Sequence, residues 1–480
     1  MDQVAVRRTR KFVKEHYANE LIIGPDGKPT TIKFPQPKVR RIDYDLDADG
    51  LTLIDAMVYA LDDPTDPHAP RAWEDRSRDP KRLMLARYLS SMYTVDHDLQ
   101  EYQITNAGLL RSGLLKRLES SPQALHASLE KMIVSHEAFL EALGKGFVLK
   151  GEALSEWVSS DSDDLAEFVA EFDRDDQIES VVGYHLTELQ ADVDSDITLL
   201  RELRNLALVV IDGGVEPKVK RLIEELTQIA ADAQRVDPRG LSHADRRKII
   251  IFSAFTDTIL PIHEAVVGAI EKAPTGSPMA DYKDRVAPPI MGSYAKAHER
   301  GASGGGVDQG GRASIIAGFA PATAGPRNAA GEPSAKDEFD ILFTTDVLAE
   351  GVNLQQAGQM INYDLPWNPH ANRAAARSCR PHRLQARLRL PRSVFFPAER
   401  LDALLELEAR LESKLALADA AVGAGEVLPG RGPGHEVNLA DDRVIDEFEK
   451  LLDAGGSSAS LSGGRVPPSA VRGRSTWSPF

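Results

Sequence analysis

The sequence predicts an α/β fold in which a doubly wound parallel sheet follows a large all-α region. Three short apolar runs predict the sheet, because each ends in polar residues, as buried parallel strands do: Ile249–Phe252, Asp340–Phe343 and Gln359–Asp364. Apolar residues at three- and four-residue spacing, from about Leu51 to Gln234, predict the all-α region. The order of the two patterns along the chain places the helices before the sheet.

Composition and charge narrow the class of protein. The chain has 480 residues, 42% hydrophobic and 27% charged, which is typical of a soluble protein with two or three domains. No apolar run approaches the roughly 18 residues of a membrane span, and the basic N-terminus lacks the apolar core of a secretory signal. We therefore expect a cytoplasmic protein without a membrane partner. The net charge of −16 argues against a wholly basic surface but leaves room for a local basic groove.

Cysteine and histidine usage predicts no metal centre. Cys379 is the one cysteine, so the sequence excludes an internal disulfide and a Cys-based zinc site. Three histidines of the helical region stand singly and are interpreted as ordinary core or surface residues: His126, His136 and His185.

Four segments carry the helical periodicity most clearly: Leu83–Met92, Leu109–Ser121, Ala124–Leu143 and Val219–Ala233. Ser121-Pro122 and Asp237-Pro238 are interpreted as helix stops or starts. The acidic stretch at 159–168 is interpreted as an N-capped helix with a solvated face. We predict no chemistry for this region beyond spacing other domains or contacting a partner.

The polar residues that follow the predicted strands are the candidate site. Ser253 follows the first run, and six polar or glycine positions lie between the second and third runs: Thr344, Thr345, Asp346, Glu350, Gly351 and Asn353. Open α/β sheets bind ligands at the carboxyl ends of their strands, which favours a ligand site here. The alternative is an ordinary strand-loop-strand connection with capping Thr and Asp residues.

Two stretches around these residues resemble known motifs. The sequence TTDVLAEGVNL at 344–354, with INYDLPWNP at 361–369, resembles motif V and its following strand in superfamily 2 helicases. The likeness is strongest to the Snf2/HepA-like branch, whose members are ATP-driven translocases on double-stranded nucleic acid. Residues Arg246–Thr258 resemble motif IV of the same proteins.

The resemblance implies roles for the site residues. Thr344, Thr345 and Ser253 would contact nucleic-acid phosphates, which carry no sequence information. The other positions would face ATP with its magnesium ion: Asp346, Glu350, Gly351 and Asn353. The implied partner is therefore a nucleic-acid backbone, bound without base recognition.

The resemblance also implies a domain order. Residues 1–46 would connect from a first RecA-like lobe, 47–215 would form a helical insertion, and 216–425 would form the second RecA-like lobe. A mobile, Gly/Pro-rich surface insertion is expected at 272–336, and a C-terminal extension, disordered at its end, at 426–480. Neither G-x-x-x-x-G-K-[ST] nor Asp-Glu-x-His occurs in the sequence, so half of the ATP site is expected to be missing. A separately encoded first lobe is a partner that this implies.

Residues 370–391 stand where the family carries motif VI, whose arginines reach the γ-phosphate. They read HANRAAARSCRPHRLQARLRLP, which lacks that motif and has poor periodicity. For one choice of synonymous codons, the reading frame shifted by one base spells MRIVQRQGRVDRIGSKHDYVYL, which contains it. We interpret the segment as a frame-shifted motif VI, and a basic loop that binds nucleic acid is the alternative.

The sequence thus leaves two functions open. The first is a fragment of an ATP-dependent DNA or RNA helicase or double-strand translocase, inactive alone. The second is a non-catalytic subunit that binds nucleic acid or protein.

Overall fold

A computed structural model of the chain describes twelve ranges: 21–23, 29–31, 38–61, 79–96, 101–159, 177–236, 242–291, 309–345, 348, 352–354, 356–365 and 391–396. Apart from Ser159 and Pro391, the predicted acidic helix at 159–168 and the motif VI segment at 370–391 lie outside these residues. The predicted C-terminal extension lies outside them as well.

The strands are β1 Leu21–Ile23, β2 Pro29–Thr31, β3 Lys38–Ile42, β4 Phe147–Leu149, β5 Ile178–Ser180, β6 Ile249–Phe252, β7 Ile341–Thr344, β8 Gln359–Asn362 and β9 Pro391–Phe395. The helices are α1 Ala48–Leu61, α2 Glu101–Ser120, α3 Pro122–Gly144, α4 Gly151–Ser159, α5 Leu186–Asp212, α6 Pro217–Gln234, α7 His243–Arg247, α8 Thr256–Glu271, α9 Gln309–Phe319 and α10 Pro321–Ala324. Short 3-10 turns span Ser90–Tyr93 and Pro278–Tyr282.

Five of the described strands form one parallel sheet, in the order β3-β9-β8-β6-β7. Within the described ranges, the other strands form the antiparallel pairs β1-β2 and β4-β5. The chain passes from β6 to β7 on one side and then returns to β8 on the other side of β6. The connections therefore diverge between β6 and β8, which makes this the switch point of the sheet.

Helices cover both faces of the sheet. Ile249 and Ile251 of β6 pack with residues of α6 and α8, whereas Ile250 and Phe252 pack with residues of α9. Alternate residues of a strand point to opposite faces, so an unbroken apolar run is buried on both sides. The predicted α/β class with a doubly wound parallel sheet is confirmed.

The helical region, α1 to α5, has its own apolar core, in which α3 packs along α5. Ser121 caps α3 by accepting a hydrogen bond from the N–H of Ala124 (3.1 Å), and Pro122 occupies the first turn. Leu365, Val394 and Phe396 of the sheet region belong to the same apolar core. The helical region is therefore packed onto the sheet region through a shared core.

The prediction of a helix at Leu83–Met92 is wrong. Leu85 has φ 53°, outside the helical range, and the only regular turn in this stretch is the 3-10 turn that begins at Ser90. The buried carboxylate of Asp196 in α5 accepts hydrogen bonds from the N–H groups of Met84 (2.7 Å) and Ala86 (2.9 Å). A side chain from elsewhere in the chain thus takes donors that a helix would use, which periodicity alone does not reveal.

The prediction of a surface insertion at 272–336 is wrong for residues 278–290. Met279, Tyr282 and Ile290 are buried in the core. The N–H groups of Ala287 and Ile290 donate to the carbonyls of Ile341 (2.8 Å) and Phe343 (2.9 Å). This stretch therefore covers the outer edge of β7, where the backbone groups of an edge strand need partners.

Two of the connections between the sheet strands and their neighbours contain helices. The helix predicted at Val219–Ala233 is present as α6. Within 272–336, residues Gln309–Phe319 form α9. In the described part of the chain, no helix is long and apolar enough to span a membrane.

Candidate functional site

The carboxyl end of β7 carries two of the predicted contact residues, Thr344 and Thr345. Both are buried, with Thr345 4% exposed. The Thr344 hydroxyl donates to the carbonyl of Thr345 (2.9 Å). The Thr345 hydroxyl has no hydrogen-bond partner among the described residues. A buried, unsatisfied hydroxyl costs free energy, so a ligand oxygen that reached it would be stabilised there.

Ser253, the third predicted phosphate contact, has a different partner. Its hydroxyl is buried and donates to Oδ2 of Asp364 at 2.6 Å. A carboxylate only accepts hydrogen bonds, so the single proton of Ser253 is committed to it. In this arrangement the Ser253 hydroxyl has no proton left to donate to a phosphate, because it joins the end of β6 to Asp364 after β8.

Most residues predicted for the ATP side lie outside the described ranges: Asp346, Glu350 and Gly351. Asn353 is exposed, and its backbone carbonyl accepts a hydrogen bond from the hydroxyl of Thr323 (2.9 Å).

Asp364, which sequence reasoning left without a role, is the centre of the switch point. Oδ2 accepts from the hydroxyl of Ser253 and from the N–H of Ala254 (2.6 Å), and Oδ1 accepts from the hydroxyl of Ser120 (3.0 Å). Ser253 and Ala254 follow β6, Asp364 follows β8, and Ser120 ends α2 of the helical region. The end of α2 thus contacts the switch point, where an open α/β sheet commonly binds its ligand.

Lys218 of α6 secures the same junction. Its ammonium is fully buried and donates to the carbonyls of Glu119 (2.6 Å) and Ser120 (3.2 Å), with Oε1 of Glu119 at 3.4 Å. These carbonyls end α2, where a cation also interacts favourably with the helix dipole. Oδ1 of Asp364 lies 4.0 Å away. The aromatic ring of Tyr363 lies 4.5 Å from the ammonium.

The charges at this junction are perturbed by burial. Burial raises the pKa of the Glu119 carboxyl to about 7, against the opposing effect of Lys218. Burial alone would lower the pKa of Lys218, but the acidic groups around it, Glu119 first, raise it above its usual value. Lys218 therefore stays charged at neutral pH, whereas the Glu119 carboxyl gains or loses its proton close to neutral pH.

The amino end of β7 carries a second charged cluster. The fully buried Asp340 is paired with Arg247 and with Arg285, whose Nε and Nη2 lie 2.7 Å and 2.9 Å from its oxygens. Asp337 is paired with Lys248 (2.8 Å) and Arg285 (2.9 Å). Each charge in this cluster has a partner. The cluster therefore stabilises the start of β7 and leaves no unpaired charge to bind a ligand.

The histidines and acidic groups offer no metal centre within the described ranges, where no group of three or more His, Cys, Asp or Glu could hold an ion. His136 is a core residue whose Nδ1 lies 2.6 Å from the carbonyl of Met132. Burial, assisted by Arg87, lowers the pKa of His136 to about 3. It is therefore neutral at physiological pH.

Comparison with known families identifies the sheet region. The model of the helicase conserved C-terminal domain matches residues 310–385, which include β7, the following loop and β8. Residues 310–385 are thus similar to a helicase C-terminal domain. The helicase resemblance first indicated by the motif V residues is thereby confirmed for this stretch, which supplies β7 and β8 of the parallel sheet.

Three solved structures are similar to the chain at low identity. The C-terminal part of the Fun30 ATPase domain is 14% identical, with a TM-score of 0.36, over 88% of this chain and 99% of that one. The Pyrococcus furiosus Hef helicase domain is 16% identical, with a TM-score of 0.38, over 78% of this chain and 58% of that one. The Sulfolobus solfataricus SWI2/SNF2 ATPase core domain is 17% identical, with a TM-score of 0.25, over 45% of this chain and 35% of that one.

With TM-scores below 0.5, these likenesses carry no argument about function. The chain spans about three fifths of the Hef chain and about a third of the SWI2/SNF2 chain. No curated protein matches the sequence.

A helicase C-terminal domain implies ATP with magnesium as its cofactor. Of the four residues predicted to face ATP, Asn353 alone is described, and one exposed amide does not form a nucleotide pocket.

The junction residues that sequence reasoning missed did leave a signal. Asp364 is a carboxylate directly after a buried strand, within the INYDLPWNP motif, and Glu119–Ser121 stand at a helix junction marked by Pro122. What the sequence lacked was the partner of each polar group, since Ser120 and Asp364 lie 244 positions apart.

Proposed function

We propose that the chain is the second lobe of a Snf2/HepA-like superfamily 2 helicase, joined to a helical region, and that it binds the phosphate backbone of nucleic acid without reading bases. The observation that carries this proposal is the match of residues 310–385 to the helicase C-terminal domain, which spans the loop between β7 and β8. The motif V residues Thr344 and Thr345 begin that loop.

The geometry narrows the contact to one hydroxyl. Ser253 and Thr344 donate to other groups of the chain, whereas Thr345 has no partner in the described ranges. Thr345 is only 4% exposed, so contact requires the groups that cover it to move when nucleic acid binds. A hydroxyl that donates to phosphate positions the nucleic acid and carries no sequence information.

Binding to labelled duplexes and single strands of unrelated sequence tests this proposal. We expect weak affinity that falls steeply with salt and does not depend on sequence. Thr345→Val should weaken binding by about tenfold, the value of one hydrogen bond to a charged group. The matched control is Thr52→Val in α1, whose exposed hydroxyl donates to the carbonyl of Ala48.

The contact assignment would be wrong if Thr345→Val bound as the unaltered chain does. Neutralising the arginines of 370–391 separates the alternative. If these arginines control both affinity and its salt dependence, the basic segment is the nucleic-acid site and the loop is not.

Catalysis is a separate part of the proposal. We infer that the chain alone does not hydrolyse ATP, because its sequence contains no P-loop to hold the β- and γ-phosphates. Phosphate release by the purified chain, with and without duplex, is the measurement. Nucleic-acid-stimulated release that Glu350→Ala abolishes would show instead that the chain forms a complete ATP site.

The alternative function is a non-catalytic subunit that binds nucleic acid or protein. This alternative is favoured if the gene encodes the arginine-rich sequence of 370–391 as printed, because the protein then has no motif VI at this position. The nucleotide sequence decides between the two. A base gained near the codon of Pro369 and lost near that of Pro391 supports a frame-shifted helicase, while codons that spell Q-R-x-G-R in no frame support the subunit.

A further inference from the structure

We propose that the helical region positions the nucleic-acid loop through a buried hydrogen-bonded relay, which runs from Ser120 through Asp364 and Ser253 to Thr344. Ser120 would then be a positioning residue for the β7–β8 loop. This inference rests on the proposed function, because that loop is the proposed phosphate contact.

The relay begins where two elements hold the end of α2. Lys218 of α6 donates to the carbonyls of Glu119 and Ser120, and Ser120 is within 2.7 Å of the hydroxyl of Thr258 in α8. Ser121 lies 2.8 Å from the same Thr258 hydroxyl. Contacts from α6 and α8 therefore fix the position of Ser120 independently of its hydrogen bond to Asp364.

The number of protons available fixes which hydroxyl donates in each hydrogen bond between Ser121, Thr258, Ser120 and Asp364. The Ser120 hydroxyl has one proton, and the carboxylate of Asp364 can only accept, so Ser120 donates to Asp364. Thr258 must then donate to Ser120, and Ser121 must donate to Thr258. The remaining role of Ser121 is to accept from the N–H of Ala124 at the start of α3, which it does. Every hydroxyl in the chain thus donates once, and the helix start is connected to Asp364.

The second half of the relay runs from Asp364 to β7. Asp364 accepts from the hydroxyl of Ser253 and the N–H of Ala254, which fixes the turn after β6. The N–H of Ser253 donates to the carbonyl of Thr344 (3.2 Å), and the Thr344 hydroxyl donates to the carbonyl of Thr345. The carboxylate therefore orients the turn that holds the last residue of β7, from which the loop departs.

Burial makes this relay sensitive to a single hydroxyl. Ser120, Ser253, Thr344 and Asp364 are all at most 4% exposed, so water does not replace a lost donor. Without the Ser120 hydroxyl, the one described group left near Oδ1 of Asp364 is the ammonium of Lys218 at 4.0 Å, beyond hydrogen-bond distance. The carboxylate is then free to turn away from the Ser253–Ala254 turn.

Amide hydrogen exchange on Ser120→Ala tests the relay directly. We expect exchange at Ser253, Ala254 and Thr345 to accelerate by about tenfold or more, as local opening becomes easier. Affinity for duplex should fall several-fold, and Ser120→Thr should restore both readings, since it keeps the hydroxyl. The matched control is Ser128→Ala in α3, which removes an equally buried hydroxyl that donates to the carbonyl of Ala124. It should leave exchange at the three amides and duplex affinity unchanged.

The outcomes separate the relay from the proposed function. Unchanged exchange at Ser253 and Ala254 in Ser120→Ala overturns the relay, whatever the affinity. Accelerated exchange in a chain whose unaltered form binds no duplex supports the relay and overturns the proposed function. If Ser120→Ala does not fold, Asp364→Asn replaces it, because the amide keeps one acceptor oxygen. The same amides must then exchange faster, and their unchanged protection overturns the relay.

Discussion

The two halves of the carboxyl edge of the sheet differ in how their polar groups are satisfied. Between β6 and β8, both oxygens of Asp364 accept hydrogen bonds, and the helical region supplies one of the donors. After β7, the buried hydroxyl of Thr345 has no partner within the described ranges. Polar residues at strand ends are therefore not equivalent, because the chain's own groups satisfy some of them and leave Thr345 without a partner among the described residues.

The edge between β6 and β8, where Asp364 is satisfied, is called the closed half, and the edge after β7 is called the open half. The largest effect on stability is expected from removing Asp364 in the closed half. Asp364→Ala should lower the free energy of unfolding by about 3–5 kcal/mol, because it leaves the buried hydroxyls of Ser120 and Ser253 and the N–H of Ala254 without their acceptor. Urea unfolding measures this. The control is Asp43→Ala, whose exposed pair with Arg41 (2.6 Å) should be worth no more than about 1 kcal/mol. Equal losses in the two variants would contradict the comparison.

A smaller, pH-dependent effect is expected at Glu119, which flanks the closed half. The pKa of Glu119 is raised to about 7 in the folded chain, so the folded state binds a proton more tightly than the unfolded state does. The stability that Glu119 contributes is thus present at acid pH and is lost as pH rises towards 7, by roughly 3 kcal/mol at most.

Glu119→Gln mimics the protonated carboxyl and sharpens this test. The variant should match the unaltered chain near pH 4.5 and become the more stable of the two as pH rises through 7. Unfolding midpoints at four pH values measure the difference. A difference that stays constant with pH would show that Glu119 does not take up a proton on folding.

The smallest effect on stability is expected from the open half. Thr345→Val removes a buried hydroxyl that has no partner in the described part of the chain, and valine keeps the shape of the side chain. The free energy of unfolding should stay the same or rise by up to about 1 kcal/mol, although nucleic-acid binding weakens. A loss of more than about 1 kcal/mol would mean that the hydroxyl is satisfied within the fold, as Ser253 is.

The strands were predictable because each is a local pattern. Ile249–Phe252 is present as β6. β7 is shifted by one residue from the run Asp340–Phe343, and β8 lies within Gln359–Asp364. Leu83–Met92 was not predictable, because its helical periodicity competes with the Asp196 carboxylate, which is more than a hundred positions away. Residues 278–290 were not predictable either, since a Gly/Pro-rich composition does not reveal pairing with the edge of β7.

The sequence by itself determined the class of fold and the helicase resemblance of the motif V stretch, because these depend on short-range periodicity and on contiguous motifs. The tertiary structure alone decided which strand-end residues remain without partners. Ser253 and Thr345 have the same chemistry and the same kind of place after a buried strand. They differ because Asp364 lies next to Ser253, whereas no described group bonds to the Thr345 hydroxyl. Hydrogen-bond satisfaction depends on atoms brought together by folding, and no local pattern in the chain encodes it.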